Sequence, residues 1–309
     1  MTANPDIDWE RVARLVLTSR AIDDIEEQEL APAGRIKYQF SAKGHELAQV
    51  LLGINLTHPR DAGGVYYRSR PLMLACGLRP REAFAADMAK IGSPSEGRDV
   101  GVVYSMPPRD GPTILPASGD VGAQYTPVAG WAQAITYHRD VLSDNSWEGA
   151  LAVAHGGDGS VASNGFWSAL TIATTLELPM LFFIEDNGYG ISVPRQFQTP
   201  GGDIAANLDS FANLLILHGS GTEPEEAAYL IHQAVDRVRN GEGPCLLRLQ
   251  VPRLTGHTFG EDQTAYKTDQ EIEADHAQDP LFHLEQFLAG RIDWEAVGSE
   301  VETEVRGEL

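Results

Sequence analysis

Residues 150–192, ALAVAHGGDGSVASNGFWSALTIATTLELPMLFFIEDNGYGIS, decide the fold. The stretch begins with an apolar run over residues 150–154, bounded by glycines. Such a run suits a strand buried on both faces of a parallel sheet. Gly156-Gly157-Asp158-Gly159 follows, at what would be the strand's carboxyl end. Phe166, Leu170, Ala173 and Leu176 then recur at roughly helical spacing until Pro179 ends the pattern. A second apolar run, residues 180–184, leads into Glu185-Asp186-Asn187-Gly188-Tyr189. This is a strand–helix–strand unit with polar residues after both strands. It predicts an α/β fold: a doubly wound, mostly parallel sheet with helices on both faces, and a ligand at the sheet's carboxyl edge.

The two loops have a readable chemistry. Glycines beside Asp158 let the backbone approach a large anion closely. A helix starting after Gly159 would offer free amides and a positive dipole end to a phosphate. Asp158 supplies a hard oxygen, Asn187 another, and a backbone carbonyl near Tyr189 a third. Oxygen donors beside a phosphate site suit Mg2+, which takes part of its six-oxygen shell from substrate phosphates.

A lone Gly-Asp-Gly fits many ordinary turns. Here residues 160–186, 27 in all, separate it from Asn187-Gly188-Tyr189 on a strand–helix–strand pattern. That combination resembles the thiamine diphosphate signature. The resemblance implies thiamine diphosphate and Mg2+ as cofactors, with Asp158, Asn187 and the Tyr189 carbonyl as metal ligands. Gly157, Gly159, Ser160 and Ile191 would lie against the cofactor.

Further motifs narrow the resemblance. Gly44-His45-Glu46, Tyr67-Arg68 and Gly97-Arg98 are similar to a pattern in the α subunits of the decarboxylating component of 2-oxo acid dehydrogenase complexes. Taken as residues, Tyr66-Tyr67-Arg68 suggests anion recognition, because a guanidinium grips phosphate through a two-point fork. The resemblance implies that Tyr67 and Arg68 contact diphosphate, and that Tyr38 and Tyr66 border the substrate pocket. Ser118-Gly119-Asp120-Val121 stands where the family has a Ser-Pro-aliphatic turn, with Ser118 and Val121 keeping cofactor-facing roles. Arg253 and His257, in Arg253-Leu254-Thr255-Gly256-His257-Thr258, would reach the diphosphate and the reacting centre, with His257 catalytic. Thr258 occupies the place of a phosphorylated serine in some relatives; regulation does not follow from it. The chain departs from the family where residues 99–104 follow Gly97-Arg98 without the usual histidine, and where Ala123 replaces a potassium-site threonine, so no potassium is expected.

What the resemblance implies is oxidative decarboxylation of a 2-oxo acid, with acyl transfer to a lipoyl group on a separate acyltransferase. The carboxylate that activates the coenzyme would come from a β subunit, in an α2β2 assembly. A branched-chain substrate such as 2-oxoisovalerate is favoured over pyruvate. Two other readings stay open: an acetoin-cleaving α subunit, and a noncatalytic scaffold that keeps the fold.

The rest of the chain bounds these readings. Its 309 residues are 42% hydrophobic and 22% charged, as in a soluble globular protein. A formal net charge of −21 argues against nonspecific nucleic-acid or anionic-membrane binding. No run approaches a membrane span, and the amino terminus lacks the basic-then-apolar pattern of a secretory signal. Cys76 and Cys245 have no metal-ligand spacing, so a reducing cytoplasm is expected. Residues 8–30 read as an amphipathic helix, with Trp9, Val12, Leu15, Val16, Ile22 and Ile25 near one face. Residues 47–56 read as a second helix, and 92–130, rich in glycine and proline, as a long loop. Residues 130–138 and 224–240 read as helices, and 214–217 and 244–251 as strands. The expected organisation is a thiamine diphosphate-binding domain over 1–290 with an N-terminal helical arm, then an acidic surface tail over 291–309.

Overall fold

A computed structural model describes residues 7–99, 105–109, 111–116 and 118–309. The chain opens with α1 (Trp9–Ile25), which runs into a π-helical turn at Glu26–Leu30. Asp8 caps α1, its carboxylate accepting from the Arg11 amide at 3.0 Å. Helix α2 (Glu46–Asn55) is buried along nearly its whole length. Strand β1 (Ala62–Gly64), α3 (Arg70–Ala75), α4 (Pro80–Asp87), β2 (Thr113–Ile114) and α5 (Tyr125–Thr136) follow. The unit that decided the fold is β3 (Ala152–Gly157), α6 (Asn164–Thr175) and β4 (Met180–Asp186). A small hairpin, β5 (Tyr189–Gly190) and β6 (Val193–Pro194), precedes α7 (Ile204–Asn207), β7 (Leu215–Ser220), α8 (Pro224–Arg239) and β8 (Cys245–Gln250). Helices α9 (Asp269–Ala277), α10 (Pro280–Leu288) and α11 (Trp294–Gly307) complete the chain.

Six strands form one sheet in the order β2-β1-β3-β4-β8-β7, with every pair parallel. Alternate residues of the central strands feed two cores. Val153, Leu181, Phe183 and Leu247 pack on the side of α1, α2 and α8. Ala152, Ala154, Phe182 and Ile184 pack on the side of α5 and α6. Both faces of the sheet are therefore covered, which is why β3 and β4 read as continuous apolar runs.

Several details differ from the sequence reading. Strand β3 extends through Gly156 and Gly157, and β4 through Glu185 and Asp186, so these polar and glycine positions lie inside strands. The segment after Gly159 is a 3-10 helix, Asp158–Ala162. Helix α6 begins only at Asn164, where the Ser163 hydroxyl caps it by accepting from the Phe166 amide. β7 follows β4 in sequence but does not adjoin it; β8 lies between them and β7 is the edge. Strands β1 and β2 come from segments too short to show a period. Residues 100–104, where the step after Gly97-Arg98 continues without a histidine, lie outside the described residues.

The two chain ends also pack more tightly than expected. The acidic tail gives way to α11, whose Val297, Val301 and Val305 are buried in the same core as Val12 and Val16 of α1. Arg14 of α1 reaches Glu300 at 2.9 Å and Glu304 at 2.7 Å, so these two glutamates face α1 while the valines face the core. A spacing of four places the three valines on one stripe, which the acidic composition masks. Among the described residues no helix is long and apolar enough to cross a membrane, and both cysteines are free and buried.

Candidate functional site

The chain leaves β1 towards β2 on one side, then builds β3, β4 and β8 on the other. At this switch in direction the loops beyond β1 and β3 diverge and open a crevice. The loops after β1, β3, β4 and β8 line a cleft of about 850 Å3, counted to its open mouth. Tyr66, Tyr67 and Arg68 come from the first loop. Gly157, Asp158, Gly159 and Ser160 come from the end of β3, and Asn187, Tyr189 and Ile191 from the loop after β4. Arg253 and His257 follow β8, and Ser118 and Val121 complete the wall. Residues far apart in sequence, singled out for binding, thus share one cleft.

Tyr38 is the exception. Its side chain is 55% exposed and does not line the cleft. Its neighbours face inward: the Gln39 amide donates to buried Asp23 at 3.1 Å, and the Phe40 ring lies 4.3 Å from that of Tyr67 and 5.6 Å from that of His257. Gln39 and Phe40 take the inward positions here, and Tyr38 is left outside the cleft.

Two guanidinium groups make the cleft anion-seeking. Arg68 is 2% exposed and Arg253 1%. Arg68 donates to the Ser41 carbonyl and, at 3.2 Å, to the His257 carbonyl. Arg253 donates to the Ile191 carbonyl at 2.9 Å and the Tyr266 hydroxyl at 2.6 Å. None of these acceptors is a carboxylate, and among the described residues neither arginine has an ion-pair partner. Burial and the facing Arg68 lower the pKa of Arg253. Buried cations without an ion-pair partner are costly; the charge of Glu261 only partly offsets this at Arg253, and an anion would relieve that cost.

Asp158 is the complementary feature. It is 6% exposed, and among the described residues neither carboxylate oxygen has a hydrogen-bond partner. Burial, then the negative charge of Asp186, raises its pKa to about 7, which the nearby Asn187 amide only partly offsets. An orphaned carboxylate of this kind suits a cation. Among the described residues no group of three or more His, Cys, Asp and Glu could hold a metal. A cation at Asp158 would need neutral oxygens and oxygens from a ligand, the habit of Mg2+ beside phosphates.

Asn187 offers such a neutral oxygen. Its Oδ1 accepts from the Tyr189 amide at 3.1 Å, leaving a second lone pair. The Tyr189 phenol points elsewhere, donating to Glu271 at 2.9 Å. The glycines around Asp158 have more varied reasons than the approach of an anion. A Cβ on Gly156 would lie 2.4 Å from both the Tyr125 and Ser160 hydroxyls, and one on Gly159 would lie 2.9 Å from Gln198 Oε1. Those two serve packing within the protein; only Gly157 leaves room towards the cleft. The Ser160 hydroxyl donates to the Gly157 carbonyl at 2.6 Å and accepts from Tyr125, which braces the loop. At the mouth, the Ser118 hydroxyl donates to Asp120 at 2.9 Å, and Val121 is 63% exposed.

His257 is half-buried. Burial, then Arg68 and Arg253, lowers its pKa to about 3, so it is neutral at pH 7. Its Nδ1 lies 3.4 Å from an Arg68 nitrogen, which can only donate, so the ring proton resides on Nε2.

Other polar residues escaped the sequence reading. Gln124, buried, lines the cleft and donates to the His155 carbonyl at 2.8 Å. Asp120 and Gln198 line it too. Behind it, Glu185 Oε2 receives His45 Nδ1 at 2.9 Å, His155 Nε2 at 2.9 Å and Gln49 Nε2 at 2.8 Å. Burial would raise the Glu185 pKa, but His45 and His155 and their hydrogen bonds bring it to about 2. Burial lowers the His45 pKa, so this histidine is a neutral member of the network. The available signal was a histidine and a glutamate inside two otherwise apolar strands.

The fold is that of a parallel α/β protein with its cleft at the carboxyl edge of the sheet. The chain belongs to the dehydrogenase E1 component family, whose profile matches residues 13–309. It is 28% identical over 278 residues to the 2-oxoisovalerate dehydrogenase subunit alpha of Bacillus subtilis (strain 168), covering 89% of this chain and 80% of that one. It is 27% identical over 293 residues to the pyruvate dehydrogenase E1 component subunit alpha of Staphylococcus aureus (strain COL), covering 94% and 73%. The pyruvate dehydrogenase E1 component subunit alpha of Bacillus subtilis (strain 168) is 27% identical over 287 residues, covering 92% and 71%.

Proposed function

We propose that this chain is the α subunit of a 2-oxo acid dehydrogenase that uses thiamine diphosphate and Mg2+, and that a branched-chain 2-oxo acid such as 2-oxoisovalerate is its substrate. The observation that carries the proposal is the pairing, in one cleft, of a carboxylate at Asp158 and two guanidiniums at Arg68 and Arg253 that have no ion-pair partner among the described residues. A magnesium diphosphate satisfies both. Asp158, the Asn187 carboxamide and the Tyr189 carbonyl hold the metal; Arg68 and Arg253 hold the anion. When bound, thiamine diphosphate supplies a carbanion for the oxo carbon and an electron sink as CO2 leaves. His257 keeps a proton on Nε2 at neutral pH and offers it as a hydrogen-bond donor to charge developing on substrate oxygen. Tyr66 and Tyr67, whose rings lie 4.8 Å apart, wall the cleft and exclude water.

A β subunit completes the site in an α2β2 assembly and contributes the carboxylate that activates the coenzyme. A separate lipoyl-bearing acyltransferase receives the acyl group. The exposure of Ser118–Val121 at the mouth is consistent with cover by such a partner. Preference for a branched chain over pyruvate rests on the similarity to the 2-oxoisovalerate relative and on the Gly44-His45-Glu46 style of motif.

The test is reconstitution. The purified chain decarboxylates no 2-oxo acid; with a matching β subunit, thiamine diphosphate and Mg2+ it turns over, fastest with 2-oxoisovalerate. Full activity from the chain alone refutes the shared site. A cofactor bound without turnover beside an active β subunit selects the scaffold reading instead, for which the missing histidine after Gly97-Arg98 and the altered Ser118–Val121 turn are the motive.

A further inference from the structure

The carboxylate of Glu185 has no place in the binding chemistry above, yet it is the most connected polar group behind the cleft. It is fully buried and pairs in sheet register with Gly157, two residues beyond His155, so Glu185 and His155 share one face of the sheet. Helix α2 covers that face and contributes His45, just before its first turn, and Gln49. Three donors converge on Oε2 of Glu185, while Oε1 has no partner among the described residues.

Each donor passes the constraint to a different part of the cleft. His45 places its proton on Nδ1, towards Glu185, and is left with a lone pair on Nε2. That lone pair faces Asn187 Nδ2 at 3.4 Å. Only the amino end of the carboxamide can face a lone pair, so the Asn187 oxygen is turned the other way. His155 donates through Nε2 and accepts through Nδ1 from the Ser69 hydroxyl at 2.9 Å, and Ser69 Oγ accepts from the Tyr66 amide at 3.0 Å. Gln49 donates a second bond to the Arg68 carbonyl at 3.1 Å. The loop over residues 66–69 is thereby held near both ends, and Asn187 is held in one of its two carboxamide orientations.

We propose that Glu185 is a positioning residue: by fixing the proton sites of His45 and His155 and the amide of Gln49, it presets the Asn187 oxygen for the metal and the Tyr66–Arg68 loop for the anion. The inference rests on the magnesium-diphosphate reading of the cleft. It makes the metal side and the anion side answer to one buried group. Groups that orient metal ligands from behind commonly alter metal affinity by about 10–100-fold when removed.

The test measures Mg2+ affinity at saturating thiamine diphosphate by calorimetry, in the chain reconstituted with a β-type subunit, with thermal melting as a control for folding. Glu185→Leu and His45→Phe are each expected to weaken Mg2+ binding at least about tenfold. Glu185→Gln keeps an oxygen at the Oε2 position and puts its amide where Oε1 has no partner. It is expected to stay within about threefold of the parent, the scale of one ordinary hydrogen bond. Adding His45→Phe to Glu185→Leu should cost less than about twofold more, because the two act in series. Should Glu185→Leu fail to fold, His45→Phe alone decides. Parent-like Mg2+ affinity in folded His45→Phe overturns the inference while leaving the cofactor assignment standing. A parent assembly that binds no Mg2+ with thiamine diphosphate removes both.

Discussion

Asp158, at the end of β3, and Glu185, near the end of β4, are both buried carboxylates, yet their surroundings act on them in opposite directions. Glu185 meets three side-chain donors and its pKa falls to about 2; Asp158 meets no side-chain donor among the described residues, faces Asp186, and rises to about 7 despite the nearby Asn187 amide. Burial penalises both. The difference lies in what was built around each: a satisfied carboxylate organises protein, whereas an orphaned one awaits a ligand. The same contrast separates Arg70, bonded to Asp23, Glu26 and Asp87 in the core, from Arg68 and Arg253, whose hydrogen-bond acceptors among the described residues are neutral.

The comparison can be broken by substitution. Glu185→Leu leaves three buried donors without their acceptor and should lower folding stability by about 3–5 kcal/mol in denaturant unfolding. Asp158→Asn should leave ligand-free stability unchanged or raised, since it removes a charge that nothing compensates. The same change should weaken Mg2+-dependent thiamine diphosphate binding about 100-fold, or ~2.7 kcal/mol, in calorimetry of the reconstituted assembly. An Asp158→Asn chain that unfolds more easily and binds as before would reverse the two roles.

The titrations sharpen the contrast because their signs oppose. The Asp158 pKa is raised by folding, so its contribution is most favourable at low pH and declines as pH rises from about 4 through about 7. In the ligand-free chain this is a loss on the order of 4 kcal/mol, absent in Asp158→Asn, readable from melts across that range. The Glu185 pKa is depressed by folding, so its contribution is present above about 4.3 and disappears as pH falls through about 2. The smallest effect belongs to Tyr38. Exposed and outside the cleft, it should tolerate Tyr38→Ala with stability within about 0.5 kcal/mol of the parent and an unchanged KM for the 2-oxo acid. A severalfold rise in KM would return it to the substrate wall.

Much of the site was legible because its donors occupy spaced motifs. Asp158, Asn187, Arg68 and Arg253 each follow a strand, and a parallel sheet brings strand ends to one edge whatever order the strands take. The Glu185 network was not legible, since His45, Gln49, His155 and Glu185 belong to no single motif. They meet because α2 lies across the face that carries His155 and Glu185. The acidic composition of residues 291–309 likewise hid a helix whose three valines only acquire meaning against α1.

By itself the sequence determined a parallel α/β architecture and which side chains stand at its carboxyl edge, because apolar period and loop chemistry are local properties. Tertiary structure alone decided that β8 separates β4 from β7, that Phe40 rather than Tyr38 faces His257, and that one carboxylate is satisfied while the other is not. Those outcomes depend on which polar atoms meet after packing, and hydrogen-bond satisfaction is a property of neighbours in space, not of spacing along the chain.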